Sequence, residues 1–215
     1  ILDERFLQTP GFAIEQCRSL ANKMAEMTKK CFLTAMESFN GYSMESVQNV
    51  IALEEKIDLY QDKLGIYLTK LNSRNLAYQD SQNASMLLHC ITDLERISDH
   101  AVNVAESAKE MHKRKLTFSK KAEEEMHLYK AAVEDILNRT ISAFTEDDEK
   151  KALTVEPLEE VIDELNRDIK KHHIKRLRKG KCTIELGLIL ADIAMNYERV
   201  ADHCSNIAVY LIQEQ

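Results

Sequence analysis

Residues 94–105, LERISDHAVNVA, return at 197–208 as YERVADHCSNIA with six of twelve positions identical. The shared positions are Glu95 with Glu198, Arg96 with Arg199, Asp99 with Asp202, His100 with His203, Asn103 with Asn206 and Ala105 with Ala208. Most of the changes keep their class, as in Ile97 to Val200 and Val104 to Ile207. Upstream of each copy, ALEEKIDLYQDKL and PLEEVIDELNRDI align Glu54, Glu55 and Asp58 with Glu159, Glu160 and Asp163. Two segments repeated in the same order mark an internal duplication, so the chain must fold as two similar units.

The unit is helical. Leu87, Ile91, Leu94, Ile97, Ala101 and Val104 recur at spacings of three and four, which places them on one stripe of a helix that needs partners to cover it. Five Gly and two Pro in 215 residues leave little material for a turn-rich β fold. Breaks near Gly41, Asn72 to Asn75, Lys115 to Ser119, Glu146 to Pro157 and Gly180 predict helices over 12–40, 44–72, 78–113, 119–146, 156–179 and 182–213. The expected fold is all-α, six helices forming two pseudo-symmetric three-helix bundles over 12–117 and 118–215, behind a junction segment 1–11. The 72–77 segment and Gly180 are expected as corresponding turns at one end of the molecule.

Lys and Arg total 29 against 36 Asp and Glu, a formal charge of −7, which disfavours nucleic acid as a partner. The five cysteines, Cys17, Cys31, Cys90, Cys182 and Cys204, are odd in number and never spaced as CxxC, as expected of reduced thiols in the cytoplasm. No uninterrupted apolar run approaches a membrane span and no signal peptide is visible. The opening ILDERFLQTPG does not read as a helix start, so the chain is expected to be cut from something longer, with membrane helices before residue 1 as one arrangement.

Each repeated segment contains ExxxD: Glu54 with Asp58, Glu95 with Asp99, Glu159 with Asp163, and Glu198 with Asp202. Residues four apart share a helix face, and like charges there cost an isolated helix a few tenths of a kcal/mol, roughly. A hard cation on the carboxylate oxygens would offset this, as would Lys or Arg from a neighbouring helix. One such pair has no weight, because chance supplies roughly six in a chain this acidic. The matching heights carry more: each pair of motifs is equidistant from a predicted turn, so each half is expected to bring two ExxxD pairs, four carboxylates, to one level. Spacing alone leaves metal and a salt-bridged network equally open.

Around the acids, Arg96, His100, Asn103, Arg199, His203 and Asn206 fall on the more polar side and are expected behind the ligands, or, for the two Arg, neutralising acids. The run KKHHIKRLRKGK carries Lys170, Lys171, Lys175, Arg176, Arg178, Lys179 and Lys181. Its plain reading is a solvated, dipole-compensating helix end; contact with an anionic membrane surface or an acidic partner is the second.

These residues resemble the PhoU family, accessory and regulatory proteins of bacterial phosphate uptake. LERISDHAVNVAE and YERVADHCSNIA are similar to its paired E(D)xxxD motifs, LEEKID and LEEVID to its second-helix acids, over nearly the whole chain. LDERFLQTP followed by AIEQ resembles the junction leading into the cytoplasmic PhoU-like domain at the C-terminus of bacterial sodium/phosphate cotransporters. Ser98 and Ala201, where such sequences often have Gly, are both small. The resemblance implies a non-enzymatic regulatory domain at the cytoplasmic face of the membrane. Its partner would be a transporter membrane domain in cis or a transporter complex, with homo-oligomers also expected. Divalent or trivalent metal ions, iron clusters in some relatives, would be held by Glu54, Asp58, Glu95, Asp99, Glu159, Asp163, Glu198 and Asp202. The alternatives are a metal-free adaptor held by salt bridges and a di-metal carboxylate enzyme. The last lacks support, since such bundles need two ExxH motifs and Glu124 with His127 is one.

Overall fold

The structure is a computed structural model and describes residues 2–213. A 3-10 turn, Glu4–Gln8, leads into α1 (Pro10–Glu37), α2 (Met44–Asn72), α3 (Tyr78–Lys113), α4 (Lys120–Glu146), the four-residue α5 (Glu149–Ala152), α6 (Val155–Arg178) and α7 (Ile184–Gln213). No strand occurs among the described residues. Local chemistry sets the boundaries. Pro10 occupies the first turn of α1, where its missing N–H costs nothing. Ser43 and Ser119 accept from the backbone N–H groups of Ser46 and Ala122 to cap α2 and α4. Gly180, at φ +67°, closes α6 while the Lys181 N–H bonds back to the Arg176 carbonyl. The expected break at 146–157 contains α5, capped by Asp148 and held down by buried Ala152 and Val155.

Helices α1, α2 and α3 pack on one another, as do α4, α6 and α7, and one hydrophobic core runs through both halves. Between the halves, Tyr197 of α7 meets Phe32 of α1 and Tyr129 of α4 edge-on, at ring-centroid distances of 6.1 and 5.2 Å. The Tyr129 hydroxyl donates to the Ala194 carbonyl at 3.0 Å, so the buried phenol is satisfied.

One expectation is overturned. Helices α3 and α7 run antiparallel: Arg114, just past the end of α3, pairs with Glu185 at the start of α7, and His89 stacks on Tyr210 at the other end. The 72–77 turn and Gly180 therefore lie at opposite ends of the molecule. A repeat dictates the inside of each unit but not how the units meet. Here they are related by a pseudo-twofold axis normal to the α3–α7 pair, because a rotation that exchanges two antiparallel helices must have that direction. Such a rotation keeps faces, so equivalent residues on the outer surface of α3 and α7 open on the same side.

Candidate metal centres and the interface between them

The acids gather where α2 meets α3 and where α6 meets α7. Carboxylate oxygens of Glu54, Glu95 and Asp99 lie within 4.8 Å of one another, and those of Glu159, Asp163 and Asp202 do likewise. Each helix buries an apolar stripe beside its acids: Leu94 and Ile97 next to Glu95, Val200 next to Asp202, Ile57 and Ile162 next to the second-helix motifs. Ser98 and Ala201 are wholly buried, which lets the backbone next to Asp99 and Asp202 sit against the neighbouring helix. By the symmetry above, both groups open on one face.

Three carboxylates converge in each half, not four. Asp58 stays outside the first group and is exposed. Glu198 stays outside the second because it accepts from Asn166 Nδ2 at 2.7 Å and has Lys170 Nζ at 3.8 Å. The corresponding α2 positions hold Gln61 and Gly65, so no cation draws Glu95 aside. The six converging acids have no Lys or Arg within ion-pair distance among the described residues, and burial with mutual repulsion shows in the acidity of Glu54, Glu95 and Glu159. Burial first, then the charge of Asp99, pushes the Glu95 carboxyl up to about 7. Burial and the charge of Asp163 push Glu159 up to about 7, and burial with Asp99 raises Glu54. This donor set fits a multivalent cation: hard oxygens, negative excess and, among the described residues, no Lys or Arg at ion-pair distance, the charge of Arg96 acting on Glu95 only from further away.

The other repeated residues point elsewhere. His203 Nδ1 and Asn206 Nδ2 donate to Asp93 Oδ1 at 2.9 and 3.2 Å, crossing from α7 to α3. In the symmetric counterpart, His100 Nδ1 and Asn103 Nδ2 donate to Asn196 Oδ1 at 2.8 and 3.2 Å. Asn196 Nδ2 is committed to the Asp192 carbonyl at 2.8 Å, which turns its oxygen toward His100 and places the proton on His100 Nδ1. The two imidazoles lie 5.6 Å apart. Burial chiefly lowers the pKa of His100, keeping it neutral near pH 7. These four residues thus clasp the two halves together, with their Nδ1 and Nδ2 atoms turned away from the carboxylates. Arg96 and Arg199 are exposed and form no ion pair among the described residues. Asp93 and Asn196 were missed as functional partners, although the repeat register places them 103 residues apart, at the head of both copies. The signal was a polar residue recurring on a buried stripe.

The PhoU domain family matches residues 21–108 and 127–211. The chain belongs to the PhoU family. Among similar sequences, the phosphate-specific transport system accessory protein PhoU homolog 1 of Thermotoga maritima is 25% identical over 196 residues, 91% of this chain and 84% of the relative. A PhoU homolog of the same description from Clostridium acetobutylicum is 22% identical over 93% of this chain and 92% of its own length. The crystal structure of PhoU from Pseudomonas aeruginosa superposes with a TM-score of 0.86 at 21% identity, covering 93% of this chain and 95% of that one. PhoU from Streptococcus pneumoniae gives 0.83 at 18% identity, over 95% and 96%. At these identities the two structures speak to the fold, which is the PhoU fold of two three-helix units.

Proposed function

We propose that this chain is a non-enzymatic regulator of bacterial phosphate uptake, acting through a transporter at the cytoplasmic face of the membrane and binding metal on its duplicated carboxylates. The observation that carries the metal reading is the pair of matched groups, Glu54, Glu95 and Asp99 and Glu159, Asp163 and Asp202, six acids brought together with no Lys or Arg at ion-pair distance among the described residues. A salt-bridge adaptor would place Lys or Arg there, as happens at Glu198. Divalent or trivalent ions suit these oxygens, iron included; bound, such an ion supplies the positive charge that lets the three acids of each group ionise together. The accessory-protein names of the sequence relatives support the phosphate-uptake reading.

The cotransporter reading rests on the opening segment. Its residues are docked on this domain: Tyr67 donates to the Asp3 carbonyl at 2.9 Å and Lys70 pairs with Glu4. Membrane fractionation of the native polypeptide carrying this chain decides it; recovery of an unfused chain of this length rules out a cotransporter tail.

The function is tested by phosphate uptake in cells deleted for the chain. Uptake should change on deletion, return with the wild-type chain, and fail to return with Asp99→Asn/Asp202→Asn. Uptake indifferent to the chain would overturn the regulatory reading.

A further inference from the structure

The two hairpin tips make the same connection but present different surfaces. At the second, Ile174, Ile184 and Leu188 are 50%, 77% and 64% exposed. Ile174 follows Asp163 by eleven residues and Leu188 precedes Asp202 by fourteen, whole numbers of turns to within about 40°, so both lie on the face where those aspartates meet. Of the seven cations from 170 to 181, Lys170 pairs with Glu198 and Arg176 with Glu125, beside His172. Lys171, Lys175, Arg178, Lys179 and Lys181 are exposed and have no ion pair among the described residues. Lys171 and Arg178 flank Ile174 on its own helix face. The nearby acids are Asp168, exposed one turn before Lys171, Glu164 one turn further back, Asp192, exposed one turn beyond Leu188, and Glu185, which is held by Arg114.

The first half serves as an internal control. Its equivalent positions are Ile66, itself 60% exposed, Thr69 and Ser73 on α2 and Ser81 and Ser85 on α3, with Tyr78 79% exposed where Lys181 stands in the second; of its two tip cations, Lys70 is paired with Glu4, leaving Arg74. The fold therefore requires neither the apolar trio nor the cations. Compensation of the helix dipole accounts for Lys175, Arg178 and Lys179 in the last turn and cap of α6, but not for Lys171, two turns inside the helix, or Lys181, beyond its end.

We propose that the outward face of the α6–α7 tip, formed by Lys171, Ile174, Arg178, Ile184 and Leu188, docks on an anionic lipid bilayer. The surface is a hairpin end, with cations that have no ion pair among the described residues beside exposed aliphatic side chains. That is the chemistry of interfacial binding, in which the aliphatics enter the headgroup boundary and the cations meet lipid phosphates. The inference deepens the membrane-face location proposed above and is independent of metal at the carboxylates.

Co-sedimentation of the chain with phosphatidylcholine vesicles, with and without phosphatidylglycerol, tests it. Binding should require phosphatidylglycerol and weaken as salt shortens the Debye length. Each cation removed should lower the partition about fivefold, so Lys171→Glu/Arg178→Glu/Lys179→Glu/Lys181→Glu should abolish it. Ile184→Ser/Leu188→Ser, which copies the first half, should weaken binding while leaving its phosphatidylglycerol requirement. Both variants alter exposed residues, and unchanged helical circular dichroism shows that they fold. No binding to anionic vesicles at low salt, binding indifferent to the charge reversals, or capture by soluble polyglutamate but not by vesicles would each overturn the proposal. Such a failure would leave the phosphate-uptake reading to its own deletion test.

Discussion

The two carboxylate groups descend from one sequence and differ in a single recruited acid. In the first half Glu54 and Asp99 are joined by Glu95; in the second Glu159 and Asp202 are joined by Asp163. The exchange follows from the neighbours: Asn166 and Lys170 pull Glu198 away, while Gln61 and Gly65 offer Glu95 nothing equivalent. Two positions, the leading Glu of the second-helix motif and the Asp of the third-helix motif, are thus the invariant pair within this molecule. The third ligand is set by local competition for hydrogen bonds and charge.

The largest expected effect tests whether the halves are also unequal at their interface. Asp93→Ala removes the charged acceptor of His203 and Asn206 from a buried site and should cost on the order of 3 kcal/mol in denaturant unfolding. Asn196→Ala, which removes a neutral acceptor, should cost roughly 1–2 kcal/mol. Equal losses would erase the distinction between the charged and neutral clasps.

Acidity comes next. Glu95 and Glu159 have folded pKa values near 7 against 4.5 for the free group, so between these values the folded chain keeps protons that the unfolded chain has lost. Stability of the metal-free protein should be fully retained below pH 4.5, as far as these groups are concerned, and fall as pH rises through 7. Glu95→Gln and Glu159→Gln should each flatten the melting-temperature profile in that window. A profile rising with pH in both variants and wild type would mean that the acids are already neutralised.

A smaller effect sharpens the difference between the sites. Asn166→Ala/Lys170→Ala should free Glu198 to join the second group and tighten its metal affinity by on the order of tenfold, with the first site unchanged, by calorimetric titration. The smallest concerns the tips: Gly180→Ala forces a β-carbon into φ +67° and should cost about 1 kcal/mol, whereas substitutions at Ser73, in right-handed backbone, should be nearly neutral.

Much of this was legible in the sequence. The apolar stripes gave the six long helices to within a few residues, because each stripe must be covered and each end is marked by Ser, Pro or Gly. The register of the repeat also put Glu54 near Asp99 and Glu159 near Asp202. The loss of Glu198 was hidden, since it depends on where the Asn166 amide and the long Lys170 side chain reach across to α7. The antiparallel meeting of the halves was hidden for a different reason: both orientations bury the same stripes, and the deciding contacts of His100 and His203 are to residues 96 and 110 positions away. Those histidines read as companions of the acids because they adjoin them in sequence, yet on a helix adjacent residues point about 100° apart.

The central claim is that the motif is written twice because each copy holds a cation. Elemental analysis of chain purified without chelator, as wild type, Asp99→Asn, Asp202→Asn and the double variant, tests it most directly. Asn keeps the shape of Asp and removes its charge, so helical content should hold while each single variant loses the metal of its own half and the double variant loses both. Full metal content in the double variant, or none in the wild type under metal-replete conditions, would contradict the account.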